Sequence, residues 1–182
     1  MQFWEVIDST SEKPLNIEKA SERLVAALMK MPQPDVFELC CEFDRKMDEA
    51  YSWELWGVAY LINGGCSDDS FMDFRGSLIA MGKEIFDKAI SDAESLLNLD
   101  KDQLAQMFEE GYIYSAPTAY ETLSGEQPQT NVARKQSPSG KEWDESRQSL
   151  QQQFPKAWSV YGWEDPEMGT PPVLNKPWWK IW

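Results

Sequence analysis

The sequence has 182 residues, a length typical of one folded domain of about 100–200 residues, and it contains no histidine. The missing imidazole excludes Ser-His-Asp and Cys-His catalysis, so an enzyme of this sequence must use carboxylates, lysine, tyrosine or a metal held by oxygen ligands. The formal net charge is −14, and a field of that sign disfavours nucleic acid and anionic membranes and favours a basic partner.

Charge divides the sequence into two parts. Residues 1–126 carry 25 Asp and Glu against 10 Lys and Arg, a net charge of −15, whereas residues 127–182 carry six against seven, a net charge of +1. Residues 124–140 are rich in Ser, Gly, Gln and Pro, which indicates a linker or a long surface loop. We therefore predict an acidic helical domain over residues 1–126, and over residues 127–182 a linker and a Trp-rich extension that packs back on that domain.

Tryptophan is concentrated at the end of the chain. Six of the nine tryptophans lie in the last 40 residues: Trp143, Trp158, Trp163, Trp178, Trp179 and Trp182. Disordered segments are poor in aromatic residues, so we expect this tail to bury its indoles as a strap over the helical body. The alternative is an aromatic anchor for a partner, with Trp158, Trp163, Trp178 and Trp179 as the candidate anchors.

Neither the opening of the chain nor its cysteines suggest export. The opening MQFWEVIDST lacks a basic stretch followed by an apolar core, and no window reaches the roughly 18 apolar residues of a membrane helix. The three cysteines, Cys40, Cys41 and Cys66, are odd in number and form no C-x-x-C pair, which is typical of a reducing compartment. We interpret the chain as cytoplasmic, with buried thiols and with neither a cofactor nor a bound metal.

Three helical segments are predicted before residue 53. Phe3–Ile7 is a short amphipathic opening, and a helix capped by Asn16 follows with an apolar stripe. Pro34 can occupy the first turn of the next helix, which runs to Trp53 with apolar residues at helical spacing on one face. Six carboxylates on its other face are the candidate partner-binding residues: Asp35, Glu38, Glu42, Asp44, Asp48 and Glu49. A solvated helix face is the simpler interpretation of such a run, and docking of a cationic partner is the functional one.

The stretch from Trp53 to Ile79 predicts a helical hairpin at the centre of the fold. Asn63-Gly64-Gly65 ends its first helix, because glycine accepts a positive φ without steric cost. Ser67 or Asp68 then caps the second helix. Asp68 and Asp69, which we include among the partner-binding candidates, form with Asp73 and Arg75 a carboxylate corner. Capping and ion pairing explain these acids more simply than a Mg²⁺ or Ca²⁺ site.

The hairpin carries a resemblance to a known family. The run LWGVAYLINGGCSDDSFMDFRGSLI, residues 55–79, closely resembles the signature of a bacterial family catalogued as domain of unknown function 4240. The resemblance extends from Phe3-Trp4 to Tyr120-Glu121, and more loosely to residues 140–143 and 154–158. It implies a fold and a bacterial setting. The family supplies no catalytic or ligand residue that can be carried over.

The rest of the chain completes an all-α prediction. We expect further helical pieces as far as residue 123 and a brief helix between Lys141 and Gln153. From Pro155 we expect an extended chain, in which Trp158–Val160 can pair as a short strand. The predicted fold is a compact multi-helix domain of about six to eight helices with an extended Trp- and Pro-rich C-terminal strap.

The combination of acidic field and missing catalytic equipment favours a binding protein. Its most concrete form is an immunity protein that neutralises a basic, nuclease-type antibacterial toxin by occupying or covering the toxin's cationic cleft. One alternative is a metal-dependent hydrolase or transferase that uses the Asp68, Asp69 and Asp73 corner. The other is a regulatory adaptor whose partner is not a toxin.

Overall fold

A computed structural model of the chain describes residues 3–163. This range contains ten α-helices and two 3₁₀ turns, so the all-α prediction is confirmed, with more helices than expected. The helices are α1 (Phe3–Thr10), α2 (Ile17–Leu28), α3 (Gln33–Glu49), α4 (Trp53–Asn63), α5 (Asp68–Ala80), α6 (Lys83–Ser91), α7 (Lys101–Gln106), α8 (Ser115–Ser124), α9 (Arg147–Gln153) and α10 (Pro155–Tyr161). The 3₁₀ turns are Ala93–Asn98 and Tyr112–Tyr114.

Side-chain caps and glycines set the predicted helix ends. The Asn16 side chain accepts a hydrogen bond from the Lys19 N–H, 2.9 Å away, at the start of α2. Ser67, and not Asp68, caps α5 by accepting from the Ser70 N–H. Gly64 ends α4 in the left-handed region with φ 66°, as predicted for this corner. Local residue chemistry is therefore sufficient to place these boundaries.

The α4–α5 hairpin lies at the centre of the core. Phe71, Phe74, Leu78 and Ile79 of α5 are each 0% exposed. Trp56 of α4 stacks on Phe71 with ring centroids 4.9 Å apart, and its indole N–H donates to the Cys66 carbonyl at 2.9 Å. Trp56 thus connects the glycine corner to the core on which both helices pack.

The prediction of an extended chain from Pro155 is wrong within the described residues. Pro155 begins α10, because proline lacks only an N–H that the first helical turn does not use. Glu94 then accepts a hydrogen bond from the Ala157 N–H at 2.7 Å and satisfies a free donor of that turn. Trp158–Val160 therefore lies in a helix, and the strand alternative is also wrong.

The end of α9 and the start of α10 pack against α4. Phe154 is 4% exposed, and a Cβ atom at Gly57 would overlap its ring, so the two elements approach as closely as glycine permits. The indole N–H of Trp143 donates to the Trp53 carbonyl at 2.8 Å. These contacts place apolar groups from beyond residue 140 against the central hairpin.

Residues 125–146, the connecting segment, join α8 to α9 without a helix of their own. Near its end, the Ser139 N–H donates to the Tyr51 carbonyl at 3.0 Å, and the Trp53 N–H donates to the Ser139 carbonyl at 2.8 Å. The segment is thereby joined to the turn between α3 and α4. The domain boundary at residue 126 stays a prediction, and residues 164–182 of the proposed strap, with Trp178 and Trp179, lie outside the described residues.

None of the helices between residues 3 and 163 combines the length and the apolar character that a membrane crossing requires.

Candidate partner-binding surface

The six carboxylates of α3 form two groups and not one face. At about 100° per residue, four of them fall within an arc of about 60°, whereas the other two lie roughly 130° further round the helix. The first group, here called the α1-side carboxylates, is Asp35, Glu38, Glu42 and Glu49. The second, here called the segment-side carboxylates, is Asp44 and Asp48. The two groups meet different parts of the chain.

A groove between α1 and α3 runs beside the α1-side carboxylates. Its volume is about 380 Å³, and it is lined by Phe3, Trp4, Val6, Leu39, Asp35, Glu38 and Glu42. Asp35 and Glu38 are exposed, and Glu42 is partly exposed. A carboxylate edge beside aromatic side chains suits a long basic side chain, since lysine and arginine present a hydrocarbon stem behind a charged head.

Two cations of α3 already lie among the α1-side carboxylates. Arg45 donates to Glu42 at 2.8 Å and to Glu38 at 3.4 Å, and the three side chains are 51%, 31% and 71% exposed. Lys46 pairs with Glu49 at 2.6 Å and lies over the Trp4 ring, 5.8 Å from its centroid. Ion pairs this exposed are worth about 0–1 kcal/mol each. A partner can therefore rearrange them at low cost.

The segment-side carboxylates are covered by the connecting segment. Asp44 accepts hydrogen bonds from the Thr130 hydroxyl and from Arg134 Nη2, the latter at 2.5 Å, and its side chain is only 17% exposed. Asp48 accepts from the Lys135 N–H at 2.6 Å, while Lys135 Nζ donates to the Asp48 carbonyl at 2.9 Å. Sequence reasoning missed Arg134 and Lys135. Their only signal is two adjacent cations in a segment of mixed polar composition.

The carboxylate corner at the start of α5 is only partly brought together. Asp68 and Asp69 are exposed in the first turn. Asp73 is half-buried, and burial together with the charges of Glu110 and Asp69 raises its pKa from 3.8 to about 6. Between residues 3 and 163, no group of three or more Asp, Glu, Cys or His is placed to hold a metal ion.

We expected Arg75 to pair with the corner acids, but it has other partners. Its Nη1 donates to the Met47 carbonyl at 2.9 Å, near the C-terminal end of α3. Its guanidinium lies over the rings of Tyr51 and Phe71, at 4.6 Å and 5.1 Å from their centroids, and burial lowers its pKa. The cation thus interacts with carbonyl oxygens and aromatic faces, both favourable partners for arginine.

Cys40 and Cys41 are buried, as interpreted, whereas Cys66 is partly exposed. Burial raises the pKa of Cys40 and of Cys66 to about 12, and burial also raises that of Cys41. A thiol with so high a pKa stays protonated at neutral pH and is a poor nucleophile.

Two of the candidate aromatic anchors pack on each other. Trp163 is 6% exposed, and its ring centroid lies 4.7 Å from that of Trp158. The Arg147 guanidinium lies 5.8 Å from the Trp158 ring centroid on the same side of the molecule. The Trp163 indole is therefore buried by contacts within the chain and is not presented to a partner.

Comparison with known protein families gives one match. Residues 1–122 match the family described as "Protein of unknown function (DUF4240)", and the chain belongs to that family. The curated proteins and the solved structures give no match. All eight carboxylate candidates lie in the matched part, whereas Arg134, Lys135 and the looser resemblance at residues 140–143 and 154–158 lie beyond it.

Proposed function

We propose that the protein is an acidic binding protein that neutralises a basic protein partner, most concretely an immunity protein against a nuclease-type antibacterial toxin. The observation that carries the proposal is the α1–α3 groove, where the exposed carboxylates Asp35 and Glu38 border the aromatic side chains of Phe3 and Trp4. Such a surface offers charge for steering and an apolar area for contact. In this proposal the protein acts in the cytoplasm of the cell that makes it.

The physics of nuclease inhibition matches this surface. A nuclease needs a cationic cleft to hold phosphates, and an acidic protein can enter that cleft or cover its approaches. The net charge of −14 raises the association rate with such a partner through the long-range field. Neutral aromatic contacts then slow dissociation, because tryptophan is among the residues that contribute most to interface affinity.

The test uses the genes that neighbour the one encoding this chain, since an immunity gene commonly accompanies its toxin gene. Each neighbouring product is expressed in a test bacterium, and growth is measured with and without this protein. We expect one product to stop growth and this protein to restore it. A Glu38→Lys/Glu42→Lys variant should restore growth less well, because it reverses charge at the groove.

The matched control is Asp102→Lys/Glu109→Lys, which changes the net charge equally at exposed positions of and beside α7. With the purified pair, the association rate should fall steeply as salt rises, because charges are screened within about 10 Å at 0.1 M. A rate that ignores salt, or equal loss in both double variants, contradicts a role for the groove. A non-toxic partner that binds in the same salt-dependent way indicates the regulatory adaptor.

The second candidate is a metal-dependent hydrolase or transferase at the corner of Asp68, Asp69 and Asp73, where burial and the charges of Glu110 and Asp69 raise the Asp73 pKa to about 6. A divalent ion would offset the part of this shift that comes from the neighbouring carboxylates. Calorimetric titration with Mg²⁺ or Ca²⁺ tests it. Saturable binding that is abolished by Asp69→Asn supports the enzyme, whereas no heat of binding contradicts it.

A further inference from the structure

A second groove lies on the opposite flank of α3, between α3, α5 and the 3₁₀ turn Tyr112–Tyr114. Its volume is about 300 Å³, and most of its lining is apolar: Phe43, Met47, Met72, Ile113, Pro117 and Pro128. Asp44 and Arg134 line its polar edge, and Tyr114, which is 58% exposed, also borders it. We call it the α3–α5 groove.

The connecting segment lies on this groove without filling it. Residues 127–134 supply one glutamine, one proline, one threonine and one arginine to its edge, and the space of about 300 Å³ remains between them and the helices. The whole connection from Ser124 to Arg147 contains 22 residues without a helix. Ordered loops of that length are uncommon in compact domains and frequently functional.

The bonds that hold the segment differ along its length. At its end, Ser139 is fixed by two backbone hydrogen bonds to the α3–α4 turn. Over and beside the groove, Asp44 accepts hydrogen bonds from Thr130 and from Arg134, and Asp48 accepts from the Lys135 N–H. The Arg134 side chain is 59% exposed, but that of Asp44 is only 17% exposed, so these contacts hold the segment more firmly than a surface ion pair does. Displacement of residues 128–136 therefore requires a competitor that gives Asp44 and Asp48 replacement donors, while residue 139 stays in place.

The contacts of the segment indicate which donors suit this flank of α3. Asp44, which lines the groove, accepts from a guanidinium and a hydroxyl. Asp48, one helical turn further along α3 and outside the lining, accepts from a backbone N–H, and its carbonyl accepts from an ammonium. A basic protein with an Arg-Lys pair on an extended segment offers the same donors. It can add an apolar side chain for the unfilled space of the groove.

We propose that the α3–α5 groove docks an extended, arginine- and lysine-bearing segment of the protein partner, and that residues 128–136 occupy it in the free protein as an internal competitor. The proposal rests on the proposed function only for the basic character of the partner.

The experiment supplies the segment in trans. In a full-length variant, residues 128–136 are replaced by nine Gly and Ser residues, so that Ser139 and its backbone bonds are retained. The probe is a synthetic peptide of residues 127–137, titrated into the isotope-labelled variant at low salt and followed by NMR. We expect saturable shifts at Asp44, Asp48 and Met72, with an affinity about tenfold above that for the wild-type chain, whose groove is occupied.

A matched peptide with Arg134→Glu and Lys135→Glu should not bind, because it reverses both charges. If the replacement variant fails to fold, Arg134→Ser/Lys135→Ser keeps the length and backbone and should bind the wild-type peptide in the same way. The proposal is overturned if a folded variant does not bind the peptide, or if variant and wild type bind it equally. Neither result depends on a toxin, so failure of the growth assay leaves this test standing.

Discussion

The acidic body, residues 3–124, and the C-terminal portion, residues 125–163, treat buried charge differently. In the body, burial and the charges of Glu110 and Asp69 raise the pKa of Asp73 to about 6. Where the C-terminal portion covers the body, Asp44 is paired with Arg134 at 2.5 Å. The nearly neutral part of the chain thus supplies a cation to a partly buried acid of the body, whereas Asp73 is raised by acids of the body itself.

The same portion also supplies apolar groups. Leu150 and Ala157 are 0% exposed, and Phe154 and Trp163 are 4% and 6% exposed. The Phe154 ring packs directly on Gly57, which has no side chain. Residues beyond the family match therefore complete the surface of the central hairpin, and we expect the body's stability to depend on them.

The largest effect is expected from truncation after Gly140. The shortened chain loses α9, α10 and Trp143 and leaves the Gly57 face of α4 bare. The loss includes Phe154 together with the buried Leu150 and Trp163, so we expect the free energy of unfolding to fall by about 6 kcal/mol or more, more than for any one of these side chains. Thermal unfolding followed by circular dichroism measures the loss, and binding of a fluorescent apolar dye should rise.

The opposite result is equally clear. If the truncated chain melts unchanged but no longer binds its partner, the C-terminal portion is a binding arm. The interface then involves Trp158 and Trp163 instead of the α1-side carboxylates. Many exposed indoles would make such an arm prone to aggregation whenever the partner is absent.

A smaller effect is expected from a single change at the contact between the two regions. Phe154→Ala should lower the free energy of unfolding by about 3–5 kcal/mol, because it leaves a cavity over Gly57. Val160→Ala is the matched control, since Val160 lies in the adjacent α10 but is 60% exposed. Denaturant unfolding measures both. Equal midpoints for the two variants would show that the contact with α4 carries little stability.

The body could be predicted from the sequence because its signals are local. The caps at Asn16 and Ser67 and the turn at Gly64 each depend on a few neighbouring residues, and the apolar spacing of α5 identifies its buried face. The family resemblance on residues 55–79 is confirmed over residues 1–122. The all-α fold class follows from apolar periodicity and helix capping, and the family resemblance agrees with it.

The rest could not be predicted because it depends on contacts distant in sequence. Pro155 is compatible with an extended chain and with a helix start, and Glu94, 63 residues earlier than Ala157, favours the helix. Arg134 meets an acid 90 residues away, and no spacing rule selects Asp44. The division of the α3 acids into two groups, in contrast, is predictable from the sequence, because the helical period places charged residues as well as apolar ones.

The smallest expected effect tests the charge comparison through pH. Asp73 has its pKa raised from 3.8 to about 6, so the folded protein binds its proton more tightly, and the free energy of unfolding should fall as pH rises from about 4 to 6. Asp73→Asn removes this dependence and should melt higher than wild type at pH 7 but not at pH 4. Asp144 of the C-terminal portion is the control of opposite sign, because hydrogen bonds from Ser146 lower its pKa, and Asp144→Asn should lose stability at pH 7. If Asp73→Asn and wild type share one pH profile, burial and the neighbouring carboxylates do not raise the Asp73 pKa, and Asp73 no longer distinguishes the body from the C-terminal portion.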